Sequence, residues 1–422
     1  MSEHTIVVFG FGPIASGLFA KEAFDSGNFS RIVVAEIDTA LVGAVTANAG
    51  SYNVNIASSD GIEQVKIDGV EIFNPNNPQG KQELIEALKD TTEIVTSLPS
   101  VNFFDADDNS VASLIAEGLE STNAPATIIY TAENNNHAAE ILEEKVRAIN
   151  PSISNERTQF LNTVIGKMSQ VVTDADEIEK RNLLSIAPGI GRAFLVEQFN
   201  RILVTRTTIE GFRPGIEVFI EKDDLLPFEE AKLYGHNAIH ALLGFLASVK
   251  GYAGMSELAD DGELMQIARR AFIDESGKAL IQKYTSLGDE LFTEAGYKEY
   301  AEDLLERMTN RYLADSVART SRDIVRKLCP SDRIFGTIRL ALEYGIAPAN
   351  MSLGAAAGIA TLLIHAEEYN LPEELRCDWR RLDARQISEI FEWLWGGERF
   401  SDDNALIGLT CSAMEKLESL MI

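Results

Sequence analysis

Cysteine is scarce in this chain of 422 residues: Cys329, Cys377 and Cys411 are odd in number and far apart. Three scattered thiols without metal-ligand spacing exclude a disulfide framework, and a reducing cytoplasm is the simplest setting. His4, His137, His236, His240 and His365 form no H-E-x-x-H or Cys/His array, so no metal is expected, although His236 and His240 share helix-face ligand spacing. No G-x-S-x-G turn offers a serine nucleophile. The longest uncharged apolar tract, residues 351–364, is too short to span a bilayer. The start, MSEHTIVVFG, lacks the basic region and apolar run of a signal peptide, so a cytoplasmic protein is expected. Positive charge is also in short supply, with 37 Lys and Arg against 65 Asp and Glu for a net charge of −28. That balance disfavours nucleic acid and anionic membrane surfaces as partners.

What is present is a chain with 45% hydrophobic residues and too long for one ordinary core. Two domains are expected, residues 1–211 and 212–422, with the break near Gly211. The first opens on TIVVF, an apolar run typical of a buried parallel strand, followed by Gly10-Phe11-Gly12-Pro13-Ile14-Ala15 and a helix. Strand, glycine turn and helix together form a dinucleotide fingerprint. Gly10 permits the tight turn, Gly12 lets backbone approach a pyrophosphate at the helix start, and Ala15 is small enough for close packing.

The next strand, RIVVAEI, ends near Glu36, where an acid meets the adenosine ribose hydroxyls. A carboxylate there repels the extra phosphate of NADP and favours NAD, with Asp38 as a substitute. Residues 65–73 read as a hairpin turning at Asp68-Gly69. Further strands at 93–98 and 126–131 alternate with helices at 82–89 and 111–119, which gives an α/β, Rossmann-type doubly wound sheet. Pro99 ends one strand where a nicotinamide half-site would lie, and Asn134 follows another, where such sheets bind ligands. The β-branched runs within 159–172 and 194–208 are expected to extend the same sheet.

After Pro227 the chain reads as a mostly α-helical C-terminal domain, with helices at 228–250, 263–284, 298–311, 332–344, 352–369, 384–395 and from 405 onward. The first of these is apolar on nearly every side in its second half, yet carries Lys232, His236, Asn237 and His240. At about 100° per residue these four fall within an arc of roughly 140°. A desolvated ammonium has a lowered pKa and can serve as a general base, beside which Asn237 and His240 could hold one oxygen. A polar face at a domain interface is the competing explanation. Residues 307–333 carry seven basic side chains (Arg307, Arg311, Arg319, Arg322, Arg326, Lys327, Arg333) against three acids. Arginine forks suit phosphate, and a solvated face with local ion pairs is the alternative.

The spacing K-x-x-x-x-N-x-x-H at Lys232, Asn237 and His240 resembles the signature of the long-chain polyol (mannitol) dehydrogenases. The likeness continues through ESGKALIQKY at 275–284, NRYLADSVARTSRDIVRKLCPSDR at 310–333 and LEYG at 342–345. It implies a metal-independent secondary-alcohol dehydrogenase that uses NAD and takes a small-molecule sugar phosphate or polyol. Lys232 would be the general base, Asn237 and Asn134 would polarise the substrate oxygen, and His240 would orient the substrate. Arg319 and Lys327 match a basic pair that contacts substrate in the family, and the intervening Arg322 and Arg326 match its sugar-phosphate branch. Mannitol 1-phosphate and fructose 6-phosphate are the implied pair, with unphosphorylated polyols or hexuronates as the alternative. A dinucleotide-binding sensor without turnover is the alternative outside enzymes. The family's V-D-R-I is replaced here by Ile165-Gly166-Lys167-Met168, and its Gly-Arg by Ala15-Ser16. Monomer and dimer are both left open.

Overall fold

A computed structural model describes residues 4–106 and 108–421. The chain divides into two compact units, Met1–Leu226 and Pro227–Ile422.

The amino-terminal unit has strands β1 (His4–Phe9), β2 (Phe29–Ala35), β3 (Tyr52–Ala57), β4 (Ile62–Ile67), β5 (Val70–Phe73) and β6 (Glu93–Thr96). They are followed by β7 (Thr127–Thr131), β8 (Thr158–Ile165), β9 (Ser169–Val172), β10 (Ala193–Glu197), β11 (Ile202–Thr205) and β12 (Phe219–Lys222). Eight of them form one sheet in the order β12-β11-β8-β7-β6-β1-β2-β5. All its pairings are parallel except β8 with β11. Chain order reverses at β1, whose Val7 pairs with Val33 of β2 on one side and Ile94 of β6 on the other. Such a switch point opens a crevice at the carboxyl ends of the strands, where open α/β sheets bind ligands. The apolar run of β1 is explained by burial on both faces. Ile6 and Val8 join one core with Val34, Val95 and Tyr130, while Val7 and Phe9 join another with Val33, Ile94 and Ile129. This is the Rossmann-type, doubly wound architecture expected from the sequence.

Two expectations within this unit are corrected. Residues 65–73 are not a hairpin: β4 pairs with β3 in a separate four-stranded sheet, whereas β5 pairs with β2 in the large one. Gly69, at φ +74°, turns the chain from one sheet to the other, and Asp68 is held by the Ser51 hydroxyl at 2.5 Å. Likewise β9 and β10 do not extend the large sheet. They complete the small one, in the order β4-β3-β10-β9. Its inner residues, Val54 and Val196, pack on the helical segment that follows β1, where a Cβ on Gly17 would lie 2.7 Å from Val196.

The carboxy-terminal unit is helical, as expected. Helix ends follow the caps: Thr293 accepts from the Gly296 amide and starts Glu294–Met308 earlier than the apolar pattern implied, and Asp383 with Gln386 forms a capping box for Ala384–Leu394. The apolar helix Met351–Ile364 packs closely on Ala238–Lys250 because Gly354 and Gly358 present no side chain to Leu242 and Phe245. Among the described residues no helix is long and apolar enough to cross a membrane.

One buried carboxyl sets a pH response. Glu93 opens β6, with Oε1 accepting from the Gly215 amide at 2.6 Å and lying 3.3 Å from His4 Nδ1, while Oε2 is buried without a hydrogen-bond partner. Burial pushes its pKa up to about 8, against the pull of the Gly215 amide and the Tyr130 hydroxyl. The folded state then holds a proton that the unfolded chain releases near its ordinary value, so stability is full at acid pH and falls as pH rises through about 8. The decline is at most about 1.4 kcal/mol per pH unit for one proton. Glu93→Gln is expected to flatten this dependence between about pH 5 and pH 8 in denaturant titrations, since Gln keeps the acceptor for Gly215 and cannot ionise.

Candidate active site

The glycine turn lies at the switch point of the large sheet. Gly10 adopts φ +92°, and a Cβ there would stand 2.7 Å from the Ser97 carbonyl, so the tight turn against the end of β6 requires glycine. At Gly12 a Cβ would meet no atom within 4 Å, so its backbone lies open on that side. Ala15 is fully buried. The segment from Ala15 to Ala20 is a π-helix, one residue per turn wider than the helix expected. Glu36 follows β2 and accepts from the Phe11 amide at 3.0 Å and the Asp38 amide at 2.8 Å. A carboxylate has about four acceptor positions, so two hydrogen bonds leave capacity for ribose hydroxyls. Asp38 is otherwise engaged: it caps the helix Thr39–Ala47 and pairs with Arg192 at 2.6 Å. An open backbone at Gly12, a helix start and an acid after β2 fit the dinucleotide named from the sequence.

At the ends of the next strands, sequence reasoning chose Pro99 and Asn134, and both are exposed. Between them it missed Glu133, which is buried and accepts from the Thr96 hydroxyl at 2.8 Å and the Leu98 amide at 2.9 Å. That carboxyl ties the ends of β6 and β7 together, and burial raises its pKa.

In the carboxy-terminal unit the long helix is not uniform. Leu226–Glu230 is α-helical, Ala231–Asn237 is a π-helix, and Ala238–Lys250 is α-helical again. Lys232, His236 and Asn237 thus sit on the wide turn. Carbonyls on this turn accept from side chains of other elements. The Ser276 hydroxyl donates to Tyr234 O at 2.7 Å, and Tyr300 donates to Ala231 O at 3.4 Å. Gly235 faces Tyr297 and Phe272, where a Cβ would lie 2.7 Å and 2.9 Å from ring atoms or hydroxyl.

Lys232 keeps a thin solvent-facing edge, yet burial dominates its chemistry. It lowers the amine to about 8, with Arg333 adding to the effect and Glu229 opposing it. His236 is buried and held well below its ordinary value, by burial first and by the neighbouring His240 next. The two imidazoles stand edge to face with centroids 6.3 Å apart. His240 Nε2 lies 3.3 Å from Asp315 Oδ2.

The basic stretch separates into parts. Arg319 forks onto Asp315 with two contacts of 2.6 Å. Lys327 is buried, donates to the Thr320 carbonyl at 2.5 Å, and is lowered to about 7 by burial, then by Arg333. Arg322 and Arg326 are open to solvent, with side chains 65% and 52% exposed and only long contacts to Asp323. Arg333 is buried and acts electrostatically on Lys232, His236 and Lys327 alike. The structure therefore gathers Lys232, His236, Lys327 and Arg333 into one basic cluster whose members hold each other toward the neutral form, with Arg333 itself paired to Asp332 at 2.8 Å, and Arg322 and Arg326 also act on Lys327. Sequence reasoning counted Arg333 in the cluster without assigning it a role. It counted Asp315 among the three acids of the stretch without giving it a role, although an acid four residues before Arg319 on a helix start is a visible signal.

Residues 224–368 match the family model described as the mannitol dehydrogenase C-terminal domain. That stretch of the carboxy-terminal unit is similar to the mannitol dehydrogenases. The resemblance drawn from the sequence motifs is thus borne out. Mannitol-1-phosphate 5-dehydrogenase of Brevibacillus brevis is 26% identical over 358 residues, 84% of this chain and 85% of that protein. Two crystal structures share the fold at low identity. D-sorbitol dehydrogenase in substrate-free form has a TM-score of 0.78 at 14% identity, covering 98% of this chain and 93% of that one. Mannitol 2-dehydrogenase of Pseudomonas fluorescens, in a ternary complex with NAD and D-mannitol, has a TM-score of 0.67 at 15% identity, covering 99% and 92%.

The packing at Gly235 gives a direct test of the wide turn. Gly235→Ala is expected to destabilise the protein by about 1–3 kcal/mol, because Tyr297 and Phe272 are rigid and cannot yield. Chemical denaturation of the variant measures it.

Proposed function

We propose that this enzyme is an NAD-dependent secondary-alcohol dehydrogenase that interconverts a hexitol phosphate and a ketose phosphate, with mannitol 1-phosphate and fructose 6-phosphate as the first pair to test. The observation that carries this reading is the lysine amine of Lys232, lowered to about 8 within a basic cluster. An amine in that range is unprotonated often enough near neutral pH to take a proton, and it does so without a metal.

In this reading the glycine turn and Glu36 hold the dinucleotide, which when bound supplies the hydride acceptor. Lys232 Nζ takes the hydroxyl proton of the alcohol while the hydrogen on the same carbon leaves as hydride, so the carbon–oxygen bond becomes a carbonyl. The resulting ammonium returns its proton to solvent. Asn237 donates to the substrate oxygen and stabilises its developing charge. The exposed forks of Arg322 and Arg326 favour an anionic substrate and offer two-oxygen contacts to phosphate. The name of the Brevibacillus relative supports the phosphorylated substrate.

Three measurements test the reading. Lys232→Ala is expected to lower turnover by about 10²–10⁴-fold, the usual contribution of a general base, while NAD binding followed by calorimetry stays near wild type. An active variant would place the base elsewhere. Oxidation rate in the parent enzyme should climb with pH and level off above about 8, because only the neutral amine accepts a proton. Mannitol 1-phosphate should be turned over far better than free mannitol, with Arg322→Ala weakening the phosphorylated substrate selectively. Equal rates for the two substrates would point to a dehydrogenase of free polyols.

A further inference from the structure

His240 is the one member of the proposed catalytic set whose ring nitrogen already has a defined partner inside the protein. That partner, Asp315, sits just before the short helix Val317–Ser321 in a turn of unusual geometry. Ala314 adopts φ +52°, a left-handed conformation that non-glycine residues rarely take and that surrounding structure must enforce. The enforcement is visible. The Asp315 carbonyl accepts from the Met255 amide at 2.8 Å, Val317 N donates to Ala253 O at 2.9 Å, and Ser316 bridges Gly254. The turn is thereby fastened to the segment after the long helix, and Thr320 comes so close to that helix that a Cβ on Gly244 would lie 2.6 Å from it.

The side chain of Asp315 is only 2% exposed. An Asp–Arg pair four residues apart on a helix needs no burial to form, and taking a carboxylate out of water is costly. Here the carboxylate is inside, with Arg319 forked across both oxygens and Oδ2 also facing His240 Nε2 at 3.3 Å. The Thr320 hydroxyl is farther from the same nitrogen, at 3.5 Å. A carboxylate can only accept, so the nitrogen facing it carries the hydrogen. In a neutral imidazole the other nitrogen is then the acceptor.

We propose that Asp315 is a positioning residue that fixes His240 as the Nε2–H tautomer, leaving Nδ1 to accept a hydrogen bond from a substrate hydroxyl, and that Arg319 acts through Asp315 instead of on the substrate. This rests on the proposed role of His240 in holding substrate. Carboxylates that orient a working histidine are common in catalytic and metal sites, and losing one costs about 10–100-fold beside a metal ligand and up to about 10⁴-fold in a catalytic triad. Both His240 and Arg319 hold the Asp315 carboxyl far below the ordinary range despite its burial, in keeping with a permanent negative charge there.

The first test needs no variant. Nitrogen-15 spectra of histidine-labelled protein, with the His240 signals assigned by their loss in His240→Gln, are expected to show hydrogen on Nε2 in the ligand-free enzyme. Hydrogen on Nδ1 would overturn the proposal. The second is a cycle of Asp315→Asn, Arg319→Met and the double variant, with melting temperature recorded for each. Asp315→Asn should lose about 10–100-fold in kcat/KM and disturb the His240 signals, and Asp315→Glu should recover part of the loss. The double variant should be no worse than Asp315→Asn alone, because Arg319 has nothing further to act through. Losses that multiply would show Arg319 working directly on substrate and sink that half. A folded Asp315→Asn variant with wild-type kcat/KM would sink the other half, even where Lys232→Ala is inactive. An active Lys232→Ala variant would instead remove the underlying assignment of the base.

Discussion

Keeping a lysine amine largely away from water is expensive, and the carboxy-terminal unit is arranged around that expense. Water is replaced near Lys232 by the walls of neighbouring helices, and the charged groups that act on it include Arg333, which discourages protonation further. Such a site is stable only if the helix that carries it cannot relax. The wide turn over Ala231–Asn237 costs backbone hydrogen bonding, and the deficit is made good from outside by Ser276 and Tyr300. Large aromatics fill the space where Gly235 and Gly277 have no side chain. A second wide turn, Ala271–Gly277, contributes Ser276 and thus belongs to the same solution.

Positive charge is concentrated in this region in an otherwise acidic protein. The contrast matters because a field made by buried cations is screened less than one made by surface lysines. Arg333 is buried and paired with Asp332 at 2.8 Å, while Arg322 and Arg326 carry charge to the solvent side. Arg319, which the motif grouped with them, is neutralised at short range by Asp315. Nearness in sequence concealed a division of labour that burial makes plain.

Much of the fold was legible because it rests on period and punctuation. TIVVF followed by a glycine turn could hardly be anything but a central parallel strand, and β1 is central. Asp68-Gly69 misled because a turn dipeptide says that the chain reverses direction locally, not which partner each flanking strand will find. Val70 and Ile72 alternate inward in the same way whether they pair with β4 or with β2. The wide turns were invisible for a related reason. One extra residue in a turn leaves the apolar pattern of a mostly buried helix unchanged, and only tertiary donors to Tyr234 and Ala231 reveal it. Asp315 was hidden differently, since its meaning depends on a ring 75 residues earlier in the chain.

The central place of β1 has a consequence for how the molecule is made. β1 pairs with β2 soon after both are made, but its other edge waits for residue 93, and the sheet is not finished until β12 at residues 219–222. Until β6 emerges a strip of valine and isoleucine stands without its neighbour, and parallel pairings between distant residues form slowly. The nascent chain is therefore most vulnerable to self-association between the emergence of β2 and that of β6, and chaperone demand should fall once the helical unit, built from nearer contacts, begins to emerge.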